Sequence, residues 1–260
     1  MSFEYFWYNS DKILSYPENI AFSVFSLPHI IWLVIMIFLI MLYCRFYLKG
    51  DEKRRRNMRC CLALFMIFSE IAKMCAMAIS GSDPHNYIPL EICSLAEYLI
   101  LIDAIWPDKD VVQQMLLYVF LPGGLMALAF PGAAGYYTAV NIFTARFFLF
   151  HGGIVAYVIA RYTAGEIKPH YRGLWISLGI TFLIAMAIYR FDVACGFNCM
   201  FLTNPRGNPM LKFLWDISGG KGGISYVAAI TVFSGFVMHV MYLVYRFIEN
   251  NRVLRQNRQA

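Results

Sequence analysis

Charge is scarce in this chain. Asp, Glu, Lys and Arg supply 15% of its 260 residues against 60% hydrophobic ones, which excludes a water-soluble globule. There is no long linker, low-complexity tract or tandem repeat, so no sizeable soluble domain fits beside the apolar runs. A Walker phosphate loop, a paired-histidine zinc helix, a GxSxG elbow and a dinucleotide fingerprint are all missing, which leaves ATP-driven and redox chemistry without support; no cofactor and no metal is expected. The seven cysteines are odd in number and scattered, mostly inside apolar runs, and describe no disulfide framework. The first twenty residues lack a basic stretch followed by a short apolar run and a small-residue cleavage site, so the N-terminus is expected to be retained. The net charge of +6 sits in clusters flanking apolar runs, which points to anionic lipid head groups and away from nucleic acid.

What the chain does have is seven apolar runs: 25–48, 60–80, 88–106, 112–130, 142–162, 174–202 and 224–247. Each approaches the roughly 20 residues that a membrane-spanning helix needs. The connections GSDPHNYIP, WPDKD, PGAAG, GEIKPHYR and TNPRGNP join turn formers to polar residues. The expectation is an all-α polytopic membrane protein, one seven-helix domain over 1–260. An interfacial segment at about 1–24, containing FEYFWY, precedes the first span, and a basic tail occupies about 248–260. Of 22 Lys and Arg, fifteen fall on one alternating set of connections and four on the other, so the N-terminus is expected outside and the C-terminus inside.

Polar residues inside such runs are costly, at least about 2.5 kcal/mol for a charge at the centre of an isolated helix. Glu70 and Lys73, three apart on one helical face, can neutralise each other. Cys93 and Glu97, four apart, share a face, while Glu91 points elsewhere. Arg146 stands near the outer end of the fifth run with His151 deeper and Gly152 and Gly153 after it. Counted from outside, Cys93 lies about 8 Å and His151 about 13 Å into their spans. His29 at the outer start of the first run, Asn198 near the outer end of the sixth and Glu70 near mid-depth of the second can line one cavity with them, whereas His239, about 22 Å down, belongs to another layer. A Cys93 thiol paired with His151 or His29 could attack an acyl ester to give a thioester, with Asn198 or Arg146 stabilising the oxyanion. A cysteine in an apolar run is also commonly a small buried hydrophobe, and six others are present. Cys195 and Cys199 have the spacing of a ligand pair without a second pair, and Cys60 and Cys61 sit where palmitoylation is feasible.

The segments FSLPHIIWL, Glu70, IPLEICSL, FFLFHG and FNCMFL, in that order along most of the chain, resemble the YwaF family of bacterial integral membrane proteins. That family is related to an animal group of transmembrane acyltransferases that remodel ether phospholipids. The resemblance implies a multipass acyltransferase of the bacterial cell membrane, acting on a phospholipid or lyso-lipid, in which Cys93 carries the acyl group and His151 assists. Glu70, His29 and Asn198 match polar positions of the family; Glu91 and Cys199 depart from its usual residues. The alternative is a small-solute transporter or ligand-binding seven-helix protein with a polar path through Glu70, Glu97, Asp103 and Arg190. Retinal binding finds no lysine at mid-depth of the seventh run.

Overall fold

The computed structural model describes residues 5–16, 20–79, 88–205 and 209–257; the GSDPHNYIP connection, Arg206, Arg258 and the start of FEYFWY lie wholly or largely outside these. Ten α-helices form, and no strand occurs among the described residues. They are α1 (Ser10–Leu14), α2 (Leu27–Leu48), α3 (Glu52–Ile79), α4 (Ile92–Ile105), α5 (Asp110–Met115), α6 (Leu121–Ala129), α7 (Ile142–Thr163), α8 (Tyr171–Cys195), α9 (Pro209–Ile217) and α10 (Ile224–Asn257). A π-helical turn over Leu116–Phe120 joins α5 to α6. Pro122 explains it, because a ring without an N–H cannot donate to the residue 118 carbonyl and the helix widens around the gap.

Six segments are long and apolar enough to cross a membrane: α2, α3, the run Asp110–Ala129, α7, α8 and the Ile224–Asn251 part of α10. The chain is a multi-pass integral membrane protein. The third of the seven expected spans is the departure. Instead of running over 88–106, α4 has 14 residues, about 21 Å at 1.5 Å per residue against a hydrocarbon core of about 30 Å. Pro89 and the extended backbone of Glu91 delay its start, and the non-helical Trp106 before Pro107 ends it.

The chain divides into two compact units, 1–107 with 123–166, and 108–122 with 167–260. In the first, α7 is the central helix. Gly152 and Gly153 let its neighbours approach, since a Cβ at Gly152 would stand 2.7 Å from Met36 Sδ of α2, and one at Gly153 3.4 Å from Leu62 Cδ1 of α3. By contrast α2 presents Ile31, Val34, Ile37, Phe38 and Met41 outward, as a helix in contact with lipid does. At the start of α7 the Asn141 side chain caps Phe143 N and also donates to Tyr5 O and Tyr8 O (both 2.9 Å), while Ile142 N donates to Phe6 O. The N-terminal aromatic segment is thereby tied to the head of α7. In the second unit His170 caps α8 through Gly173 N, Gly196 in the left-handed region (φ +74°) ends it, and Tyr245 of α10 donates to the Leu117 carbonyl of the π turn.

Candidate functional site

Within the first unit the polar residues collect at two levels. At one level three carboxylates and three arginines interlock. The Glu166 carboxylate accepts from Tyr47 OH (2.6 Å) and Arg161 Nε (3.0 Å) and pairs with Arg55 and Arg59 (both 3.3 Å). Arg59 also reaches Glu52 (3.1 Å). Burial pushes the Glu166 carboxyl up, but the Tyr47 and Arg161 hydrogen bonds and the charges of Arg161 and Arg59 outweigh it and hold the group below its usual value. Arg161 in turn bonds Asp103 of α4 and the Pro107 carbonyl, and Tyr157 OH donates to Asp103 Oδ2 at 2.6 Å. Asp103 is fully buried, so α4 is fixed to α7 at this end by a charge that must stay paired.

At the other level Glu70, also buried, accepts from Lys73 Nζ of its own helix and from Arg146 of α7. Arg146 further donates Nε to Ser69 O (3.2 Å) and lies over the Phe150 ring. The carboxyl groups of Glu97 and Glu91 act on Lys73 from α4. Glu97 is 1% exposed, and its Oε2 has no hydrogen-bond partner among the described residues. Between α3 and α7 at this level lies a cavity of about 390 Å³ lined by Trp7, Phe65, Ser69, Ala72, Lys73, Ala76, Ile142, Arg146 and Leu149, among others.

Cys93, the proposed nucleophile, is half-buried at the second position of α4. Glu91 supplies no side-chain cap, and the first helical bonds run from Ser94 N and Leu95 N to Glu91 O. Among the described residues, the N–H groups of Ile92 and Cys93 therefore stand at the helix end without a capping side chain. His151 is buried on α7, its ring against Phe147 and Phe150. Its Nδ1 lies 2.8 Å from the Phe147 carbonyl. A carbonyl can only accept, so Nδ1 carries the proton and Nε2 the lone pair, the form a general base needs.

Not every residue expected in the cavity is brought there. Among the described residues no hydrogen bond joins Cys93 to His151 or to His29. Neighbouring contacts and charges fix the levels: Cys60 Sγ lies 3.9 Å from Ala104 O, the charges of Glu91 and Glu97 act on Lys73, and Arg146 meets Ser69 and Glu70. These registers set Cys93 beside residues 71–74 of α3 and His151 beside 65–66, an axial separation of about 8–14 Å at the helical rise. They also run α4 antiparallel to α3. His29 is a brace: its Nδ1 accepts from Phe25 N (2.9 Å), so Nε2 donates to Leu128 O (2.9 Å) and no ring nitrogen is left over. The first of these bonds holds Phe25 at a φ of +59°, uncommon for a bulky residue. Asn198, in the second unit, accepts from Thr203 N, Thr203 Oγ1 and Asn204 N and donates to Asn204 O, organising the turn after α8. Lys73 and Trp7 line the cavity although sequence reasoning gave them no such role; the i,i+3 pairing with Glu70 was the available signal for Lys73, and Trp7 had none.

No curated protein and no solved structure matches the chain. A family model does match, that of the TMEM164 family, over residues 24–245. That match takes in α2 to α9 and most of α10. With 222 of its 260 residues covered, the chain belongs to the TMEM164 family.

Proposed function

We propose that the protein transfers acyl groups between lipids through a thioester on Cys93. The observation that carries this reading is the position of the thiol in the first turn of α4, beside uncapped N–H groups. A helix N-terminus favours the thiolate, which an apolar setting otherwise disfavours. The same N–H groups can hold the oxyanion of a tetrahedral intermediate. In the first half-reaction Cys93 attacks the ester carbonyl of a phospholipid, the S–C bond forms, the C–O bond breaks, and a lyso-lipid leaves. Glu97, one turn along the same face, takes the thiol proton and returns it to the leaving alkoxide. In the second, an acceptor hydroxyl attacks the thioester, the new C–O bond forms as the C–S bond breaks, and Glu97 takes the hydroxyl proton and passes it to the departing sulfur, which restores the thiol. With water as acceptor the same residues make a hydrolase. His151 Nε2, offset from Cys93 along the helix axes, is out of direct reach of this centre and stands outside the two steps.

In this reading α4 is a seventh, shortened pass, the N-terminus is outside and the chemistry lies in the outer half of the membrane; the antiparallel course of α4 against α3 supports it. The transport alternative is less favoured, because two of its path residues, Glu70 and Asp103, are tied to Arg146 and Arg161. The test is intact-mass analysis of purified protein incubated with a labelled phospholipid. A hydroxylamine-labile acyl adduct on the wild type, absent from Cys93→Ser, is expected. Wild type without an adduct under conditions of lipid turnover would refute the proposal.

A further inference from the structure

We infer that the cavity between α3 and α7 binds an anionic glycerophospholipid, its head group on Arg146 and Lys73 and the upper part of a chain along the apolar wall. This goes beyond the acyl-transfer reading and uses no property of Cys93. Glu70 is one carboxylate shared by two cations, so this trio carries a surplus positive charge. Arg146 gives Nε to Ser69 O and Nη2 to Glu70, which leaves Nη1 for a ligand. Lys73 gives one of its three donors to Glu70. Glu91 and Glu97 act on Lys73 from the α4 side and do not line the cavity, and among the described residues the carboxylate paired with Arg146 is Glu70.

The rest of the wall selects an amphiphile over a free anion. From Ala76 to Phe65 the α3 face runs about 16 Å along the axis and is apolar apart from Ser69 and Lys73. Ser69 donates its hydroxyl to Met66 O, so it offers no hydroxyl hydrogen to a ligand. Trp7, 75% exposed, stands at the same cavity with the N-terminal segment, where an indole suits the boundary between head groups and chains. Cations set at one part of an apolar slot match a charged head with a hydrocarbon tail.

The test is native mass spectrometry of the full chain released from detergent after exposure to equal amounts of phosphatidylglycerol and phosphatidylcholine. Wild type is expected to retain phosphatidylglycerol in preference. Arg146→Gln removes charge-assisted bonds and should lower that preference at least about tenfold. Ala72→Trp fills the apolar part of the slot, leaves the Arg146 to Glu70 pair in place and should lower total retained lipid, which keeps the inference testable should Arg146→Gln fold poorly. Cys93→Ser should keep the wild-type preference, so failure of acyl transfer and failure of this site are distinguishable. Equal retention of the two lipids by wild type, an unchanged pattern in Ala72→Trp, or displacement of phosphatidylglycerol by inorganic phosphate alone would overturn the inference.

Discussion

Removing Arg161 tests the lock that holds α4. The buried Asp103 carboxylate has two partners, Arg161 and the Tyr157 hydroxyl, and its Oδ1 already lacks one. Arg161→Met leaves the charge to Tyr157 alone, and breaking a buried pair from one side costs about 3–5 kcal/mol. Asp103→Asn is milder, because Arg161 keeps Glu166 and the Pro107 carbonyl; the loss is about 1–2 kcal/mol. Replacing both partners by apolar residues, Asp103→Leu with Arg161→Met, removes the orphaned charge and should recover most of the stability. For a chain of this size about 2–4 °C of midpoint accompanies each kcal/mol, so Arg161→Met should melt about 6–20 °C below wild type in detergent, with the double variant between them. Because the lock sets the position of Cys93 ten residues earlier, Arg161→Met should also lose acyl-adduct formation. A single variant as stable as wild type, or a double variant no better than Arg161→Met, would refute the reasoning.

Gly152→Ala should destabilise by about 1–3 kcal/mol, since its Cβ meets Met36 Sδ at 2.7 Å, while Gly153→Ala, with 3.4 Å to Leu62, should cost less; paired thermal melts check the order. The depressed Glu166 carboxyl contributes stability that is complete above its unfolded value of about 4.3 and is lost as pH falls through the lower folded value. Glu166→Gln should therefore flatten the acid side of a pH–stability profile, and an unchanged acid limb would contradict this. His29→Phe should lower stability by about 1–3 kcal/mol through the orphaned Leu128 carbonyl and Phe25 N–H, yet leave the acyl adduct on Cys93 detectable in whatever fraction remains folded; loss of the adduct from folded protein would show a role in the chemistry instead.

Runs of apolar residues announced six long helices because length and hydropathy are local properties of the chain. The shortened α4 was hidden inside such a run: only Pro89, Glu91 and the Trp106–Pro107 step mark its ends, and apolar residues on both sides blur them. Glu70 with Lys73 was legible as an i,i+3 neighbour pair. The partner Arg146 is 76 positions away and Arg161 is 58 from Asp103, and no periodicity links residues brought together by helix packing. His29 shows the same limit, since sequence puts an imidazole at the right depth for catalysis and only coordinates reveal that both its nitrogens serve the backbone. Asn198 likewise sits at a plausible depth but folds a turn in the other unit.

The thioester chemistry stands or falls on lipid remodelling in proteoliposomes containing a phospholipid donor and a lyso-lipid acceptor. The account predicts transfer by wild type and by variants lacking Cys60, Cys61 or Cys195, and none by Cys93→Ser. Transfer at the wild-type rate by Cys93→Ser would contradict it.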